Sequence, residues 1–418
     1  MTKFTPTADD ARTSLVLYPL TLVDEGDQVV IGRPDIDSFA VFPPDAAAVV
    51  RRLRAGEDLD SVATWYQDTY GEPADIEDFV ATLYDLGFVR ADGAETTELP
   101  APPPVRWRRT GATVLSWPAL TLYALAVGAA TVLMMVVPAL RPGPAAVYFS
   151  KSLLVVMGVT TVAQLAGIAW HEGFHVLAGR RIGLPSKLSV GRRLYFIVFQ
   201  TTLAGLMGVP ARKRILPFCA GLIADALLVS LLIGVAEAGR LAGWPSWSSR
   251  VAVGLAYVTI LRMLWQALIV METDMYHVLA SALRCPDLHG MTRTYLRNRM
   301  ARARGRQGPD IGDESTWSAR DRKVVRRYAP FVVIGSAALI VLAAVSVIPV
   351  LSGLALRVYH GITTGSLTSP WFWDSLLAGI AVLAPFAIAW IIAIRDRKRH
   401  QESRASSAIS TSTSTSTS

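Results

Sequence analysis

Charged residues are scarce in this chain. Asp, Glu, Lys and Arg make up only 18% of its 418 residues, whereas 52% are hydrophobic and the mean hydropathy is +0.37. Soluble domains carry about 25% charged residues. Several apolar runs are about 20 residues long, which is the length that crosses a bilayer as a helix. The composition argues against an ordinary soluble enzyme and predicts an integral membrane protein.

Other features are also missing. The only two cysteines, Cys219 and Cys285, are predicted in a membrane helix and on its cytoplasmic side, so we expect no disulfide. No Walker motif is present, which disfavours ATP-driven export by this chain alone. The first residues lack the basic-then-apolar order of a signal peptide.

The charges that are present are divided unevenly. Residues 1–100 hold 20 acidic and 7 basic residues, and the rest of the chain holds 13 acidic and 34 basic ones. Most of the later basic residues flank apolar runs, where anionic lipid head groups account for them, so we expect no nucleic-acid partner. The pattern predicts an acidic soluble domain followed by a basic membrane domain.

The order of segments follows from periodicity and composition. The pattern of residues 15–93 predicts a small α+β domain with three strands followed by three helices. The other predicted segments are an extension (1–14), a proline-rich linker (94–111), a membrane core (112–284), a basic cytoplasmic segment (285–328), two last spans (329–395) and a disordered Ser/Thr-rich tail (396–418).

Six apolar segments predict six transmembrane helices, with both chain ends in the cytoplasm. They lie at about 112–138, 152–178, 215–237, 251–272, 330–351 and 373–394. In this orientation the outer loops hold 5 basic residues and the inner segments after residue 100 hold 28, as the positive-inside rule requires. Residues 183–213 are rich in β-formers and Gly, which predicts strands or a re-entrant hairpin. Within this segment, either an edge strand that receives substrate or a packed hairpin is consistent with Tyr195, Phe196, Val198 and Phe199.

The strongest functional signal is IAWHEGFHVLAGRR, at the inner end of the second predicted span. His171 and His175 are four residues apart, so on a helix both imidazoles project from one face. Two ring nitrogens can then reach one tetrahedral zinc at about 2.0–2.1 Å. Glu172, rotated by about 100°, suits a general base acting on water. A chance match is the weaker interpretation, because two His and a Glu in an apolar helix are costly unless paired or metal-bound.

Zinc needs a third protein ligand. Asp274, in VMETDMYHVL, is the best candidate, because it ends the fourth predicted span at the depth where the second span carries HEGFH. The alternative is a simple helix-end acid. Glu272 is a rival ligand, although on the same helix it points away from Asp274.

These segments resemble the site-2 protease family of membrane zinc metallopeptidases over about 152–284. HEGFH matches the HExxH helix, AGLIADALL resembles the GPxxN segment, and ETDMYHVL resembles the third-ligand motif. The resemblance implies Zn²⁺ bound by His171, His175 and Asp274, catalysis by Glu172, and substrate contact by Gly221 and Asp225. Leu222 replaces the usual proline and Met275 a common glycine, which weakens the substrate-groove assignment more than the metal assignment.

Two further residues have open interpretations. Asp225 lies in mid-span, where an ionisable residue suggests function; it either steadies substrate or pairs with Arg262 of the fourth span. His277 lies three residues after Asp274 and hence on its face, as an outer partner of the metal ligands or as an interfacial His without a role.

The N-terminal region has its own resemblance. DSFAVFPPDAAAVVRRLRAGEDLDSVA followed by DIEDFVATLYDLGFV resembles PqqD-like domains, winged-helix modules that recognise leader peptides of ribosomally made natural products. The resemblance implies a peptide bound as an added strand on a sheet edge.

Together these features predict a membrane zinc metalloprotease of the bacterial plasma membrane with a cytosolic peptide-binding domain. Its substrate would be a peptide or small membrane-associated protein, such as a ribosomally made peptide precursor. The alternative is a non-catalytic peptide-binding membrane protein for export, sequestration or immunity. The combination of HEGFH with Asp274 separates the two, because an exporter has no need of it.

Overall fold

The computed structural model is mostly helical, with a small sheet near its N-terminus. It describes residues 15–90, 105–193, 196–266, 273–285, 287–305, 312–314, 317–384, 387–388, 390–391 and 395. For residues 188–193, 196–200 and 202 it describes the backbone only. The predicted N-terminal extension and Ser/Thr-rich tail lie outside the described residues.

The N-terminal domain is an antiparallel sheet followed by three helices. Its strands are β1 (Thr21–Asp24), β2 (Val29–Arg33) and β3 (Ser38–Phe42), in the order β1-β2-β3, and its helices are α1 (Pro44–Arg54), α2 (Leu59–Tyr70) and α3 (Ile76–Asp85). Every residue of the central strand β2 is buried. The apolar faces of sheet and helices enclose one core, which includes Ile31, Val50, Leu53, Leu83 and Phe88.

Local signals set the ends of these helices. Proline stands at the first position of α1, where its missing N–H costs nothing. The side chains of Asp58 and Asp75 accept the N–H of Ser61 and Asp78, which caps α2 and α3. The predicted three strands and three helices are confirmed. The more specific winged-helix arrangement remains a prediction.

The rest of the described chain is a helical core with one hairpin. Its helices are α4 (Arg108–Val114), α5 (Trp117–Val136), α6 (Leu153–Arg181), α7 (Ala211–Leu241), α8 (Ser246–Gln266), α9 (Asp274–Leu283), α10 (Leu288–Ala303), α11 (Ala319–Leu342), α12 (Ile348–Thr364) and α13 (Pro370–Ala384). A short π-helical segment, Ala343–Val347, joins α11 to α12.

Four helices of the described chain are long and apolar enough to cross a membrane: Trp117–Val136, Leu153–Arg181, Ala211–Leu241 and the continuous Ala319–Thr364. The prediction of six spans is therefore not confirmed. The predicted fourth span falls on α8, whose polarity is raised by Arg250 and Arg262. The predicted sixth falls on α13, which is shorter. Both predicted spans also run into residues outside the described chain.

The predicted strands between the second and third spans are confirmed as a hairpin. Strands β4 (Ser186–Arg193) and β5 (Phe196–Leu203) pair antiparallel, with Ser186 opposite Leu203. The hairpin lies along α6: the hydroxyl of Ser186 donates to the carbonyl of Val176, and the side chain of Leu203 covers Gly179. Thr201 donates its hydroxyl to the backbone carbonyl of Glu172 at 3.2 Å, beside the HEGFH motif. Tyr195 lies outside the described residues.

The start of α6 is capped from the far end of the chain. Asp374 of α13 accepts hydrogen bonds from the backbone N–H of Leu153 at 2.7 Å and of Leu154 at 3.2 Å. Its carboxylate also accepts the hydroxyl of Ser152, the N-cap residue of α6. A carboxylate at a helix N-terminus satisfies unpaired N–H groups and favours the helix dipole. The helix that carries HEGFH is thus anchored by the last described helix.

Candidate metal centre

Three helices meet at the predicted metal site. His171 and His175 lie on the buried face of α6, with 4% and 6% of their surfaces exposed. Asp274 is the first residue of α9. Between them runs α7, which packs against both α6 and α9. Among the described residues, these three form the one group of at least three potential ligands with ligand atoms within 4.8 Å of one another.

The three ligand atoms form a nearly equilateral triangle. Nε2 of His171, Nε2 of His175 and Oδ2 of Asp274 are each 3.2 Å from the other two. Ligands of a tetrahedral zinc at about 2.0–2.1 Å are separated by roughly 3.3 Å. The triangle therefore has the size of one face of a zinc coordination tetrahedron, which leaves the fourth position open.

Hydrogen bonds on the far side of each imidazole fix its tautomer. Nδ1 of His175 is 2.8 Å from the carbonyl oxygen of Pro217, and Nδ1 of His171 is 3.1 Å from Oδ2 of Asp225. Because both partners are acceptors, we assign a proton to each Nδ1. Both Nε2 atoms then turn lone pairs toward the carboxylate oxygen of Asp274. Three converging lone pairs repel one another unless a cation lies among them, so the donor set fits a metal ion.

Glycine at position 221 makes room for this triangle. A Cβ atom there would lie 2.3 Å from Nε2 of His171 and 2.4 Å from Nε2 of His175, closer than real Cβ contacts come. The sequence predicted a substrate contact for Gly221. Its position against the ligand nitrogens gives it a further role, because any side chain would intrude on the metal.

A buried network supports His171 from behind. Asp225 has no exposed surface, and its Oδ1 lies 2.6 Å from Nη2 of Arg262 on α8. Nη1 of Arg262 also donates to Oε1 of Gln164 on α6. The guanidinium packs against Gly167, which follows Gln164 by about one helical turn. Of the two interpretations of Asp225, pairing with Arg262 is the one with direct contacts. The same carboxylate orients His171, as outer carboxylates do for metal-bound histidines.

Glu172, which follows His171 on α6, is not one of the three ligand residues. Its side chain is half-buried, and the three-ligand group contains the residue before it and the residue three after it. This agrees with a role as base rather than ligand.

His277 is not a member of the three-ligand group. The exposed His277 stacks on the ring of Phe218, with ring centroids 5.2 Å apart. The rival ligand Glu272 lies outside the described residues. Sequence reasoning missed the partners Pro217 and Gln164. A proline four residues before Gly221 inside an apolar span was the available signal, because such prolines mark special backbone positions.

Comparisons with protein-family models, with curated proteins and with solved structures give no match. The resemblances to the site-2 protease family and to PqqD-like domains therefore remain predictions from motifs. Function is inferred from the geometry of the metal-ligand group and from the sequence.

Proposed function

We propose that this protein is a membrane-embedded zinc metalloprotease that hydrolyses peptide bonds of a peptide or small membrane-associated protein. The observation that carries this proposal is the triangle of three lone-pair atoms, 3.2 Å apart, next to a glutamate in an HExxH motif. Two imidazole nitrogens and one carboxylate oxygen with an open fourth position are typical of catalytic zinc. A structural zinc site would have four protein ligands.

The residues around the site have distinct tasks in peptide hydrolysis. Bound zinc supplies Lewis acidity, which polarises the scissile carbonyl and makes water a better nucleophile at neutral pH. Glu172 takes the proton of the attacking water and delivers it to the leaving amine. Asp225 and the carbonyl of Pro217 hold the two imidazoles in the orientation that directs Nε2 at the metal.

The proposal extends to topology and substrate. The chain crosses the bacterial plasma membrane six times with both ends in the cytoplasm, and its active site opens to that side. The N-terminal domain, of winged-helix type, binds the substrate peptide. Support for the orientation comes from 28 basic residues on the inner side against 5 on the outer side.

The first experiment measures metal content. The protein is purified in mild detergent as wild type, His175→Ala, Asp274→Ala and His277→Ala, and zinc is quantified by mass spectrometry. We expect about one zinc per chain in the wild type and in His277→Ala, the control on the same helix as Asp274, and none in the other two. Absence of zinc from wild type, even after zinc is added back, would favour the non-catalytic peptide-binding alternative.

Catalysis is tested separately with Glu172→Gln, which preserves shape but removes the base. We expect zinc content to stay within about two-fold of wild type and proteolysis to fall by at least about 10²-fold, since a positioned base contributes about 10²–10⁴. Mass spectrometry of new peptide N-termini compares cells expressing wild type with cells expressing the variant, so no substrate need be known beforehand. If the cleaved termini of the wild type persist unchanged in Glu172→Gln, the protease assignment is wrong.

A further inference from the structure

The turn between β1 and β2 of the N-terminal domain, residues 25–28, lies against the helical core. It contacts three helices there: the first residues of α7, the C-terminal end of α9 and the start of α11. No motif or periodicity in the sequence predicts this docking. The turn is therefore an interface between the two parts of the chain.

The carboxylate of Glu25 caps α7. Its Oε1 accepts the N–H of Ala211 at 3.2 Å and lies 2.8 Å from Nη2 of Arg214. The residue at the N-cap of α7 is Pro210, which makes no side-chain cap of its own. Both members of the ion pair are well buried, with side chains 10% and 3% exposed. The other domain thus supplies the cap that α7 lacks.

The same turn holds the other end of α9. Arg284, the C-cap residue of α9, donates from Nη1 to the backbone carbonyl of Glu25 at 3.1 Å, and its guanidinium covers Gly26. Arg320 of α11 pairs with Asp27 and donates to the carbonyl of Leu283 at 3.2 Å. This turn of four residues therefore contacts both the start of α7 and the end of α9.

These contacts lie at matched distances from the metal ligands. Gly221 is ten residues after Ala211 on α7, and Asp274 is ten residues before Arg284 on α9. At 1.5 Å per residue, the turn is about 15 Å from the metal site along each helix. The two helices are packed together, fixed at one end by the turn and framing the metal at the other.

We propose that the β1–β2 turn is a positioning element of the metal site: Glu25 and Asp27 hold α9 against α7, so that Asp274 stays at ligand distance from His171 and His175. Metal affinity then depends on docking of the N-terminal domain. The inference rests on the metal site of the proposed function, and it requires no proteolytic activity.

The test measures zinc affinity of the full-length protein in detergent by competition with a chromophoric chelator. For Glu25→Ala we expect about 10-fold weaker binding, the low end of the effect of outer partners of metal ligands, and for Asp27→Asn about 2–3-fold weaker binding. Glu25→Gln keeps an acceptor for Ala211 and should recover part of the loss. Asp24→Ala is the matched control, because Asp24 directly precedes the turn, at the end of β1, but pairs with Arg51 of its own domain; the zinc affinity of this variant should not change.

A double-mutant cycle separates positioning from general stability. If Glu25 acts through Asp274, then Glu25→Ala should not weaken the residual zinc binding of Asp274→Ala any further. Equal losses in both backgrounds would overturn the inference, as would wild-type affinity in a folded Glu25→Ala. Should Glu25→Ala fail to fold, unchanged affinity in Asp27→Asn overturns it instead. No zinc binding by wild type would refute the metal site itself, and hence the proposed function, which is a distinguishable result.

Discussion

The N-terminal domain and the helical core bury opposite kinds of residue. In the domain, the described interior is apolar, with Ile31 and Leu83 fully buried, and the charged groups face outward apart from Arg33 and from Glu25, which the helical core covers. In the core, large apolar side chains such as Leu125 and Ile340 are 67% and 71% exposed, while Asp225 is fully buried. Water surrounds the N-terminal domain and lipid surrounds the helical core. Burial of apolar side chains therefore drives folding of the domain, whereas a buried ionisable side chain in the core indicates a functional site.

The polar interior of the core is costly to maintain. An ion pair such as Asp225–Arg262 loses hydration that its mutual attraction repays only with good geometry and further hydrogen bonds. Both residues have those bonds, to His171 and to Gln164. Such a network contributes less to stability than an apolar replacement would. What the network provides is the orientation of His171, whose Nδ1 contacts Asp225.

The largest expected effect comes from adding a side chain at Gly221, where it would occupy the space of the metal site. Gly221→Ala places a methyl group within 2.4 Å of both ligand nitrogens, so we expect loss of zinc by more than about 100-fold in affinity with little change in the N-terminal domain. Gly234→Ala, on the same helix with nothing within 4 Å, is the control and should bind zinc normally. Chelator competition measures both. Equal zinc affinity in the two variants would show that Gly221 does not face the site.

A smaller effect is expected from neutralising the buried acid. Asp225→Asn leaves Arg262 without a charged partner and allows the amide to donate to Nδ1 of His171, which disfavours the tautomer that binds metal. We expect about 10–100-fold weaker zinc binding and a lower melting temperature. Glu237→Gln on α7, whose partner Arg240 is largely exposed, should change neither by much. If the two variants behaved alike, polar burial in the core would have no special link to the site.

The smallest expected effect concerns Arg33, a buried charged residue of the N-terminal domain. The guanidinium of Arg33 binds both carboxylate oxygens of Asp35, at 2.5 and 3.1 Å, and these hydrogen bonds hold the pKa of Asp35 below its usual value. The pair therefore stabilises the domain above about pH 4, and this stabilisation is lost as the pH falls through the lowered pKa.

We expect Asp35→Asn to destabilise the N-terminal domain by about 1 kcal/mol at pH 7, since the pair is partly solvated, and by progressively less as the pH falls below about 4. Urea titration at each pH, followed by pulsed hydrogen exchange of peptides from residues 29–42, measures it. Asp24→Asn, in a largely exposed pair with Arg51, serves as control. A destabilisation by Asp35→Asn that does not change between pH 7 and pH 2 would mean that charge is not the cause.

Periodicity and spacing predicted what depends on one segment at a time. Apolar residues at helical intervals predicted α1 to α3, because burial in water selects such patterns. The i, i+4 spacing of His171 and His175 predicted their shared face, and Asp274, predicted as the third ligand, lies with them, although it begins α9 rather than ending a span. In each case the information lay within one element or in the topology.

What the sequence did not reveal depends on contacts between distant elements. The backbone carbonyl of Pro217 accepts a hydrogen bond from His175. A main-chain acceptor cannot be recognised in a sequence, because every residue type carries the same carbonyl group. The predicted fourth span is not confirmed on α8, where Arg262, which pairs with Asp225 inside the core, lowers the apolarity that identifies a span. Docking of Glu25 on α7 joins residues more than 180 positions apart, which no local signal encodes.

The cap that Asp374 places on α6 has a consequence for biosynthesis. Ser152 and Asp374 are 222 residues apart, so α6 leaves the ribosome long before its anchor exists. During that interval the N-terminal N–H groups of α6 have no carboxylate partner. The helix bearing HEGFH consequently reaches its final anchorage only when α13 has been made and packed. Assembly of the three-ligand group is therefore completed late, and a nascent chain that stops before α13 lacks the carboxylate cap on the helix that carries His171 and His175.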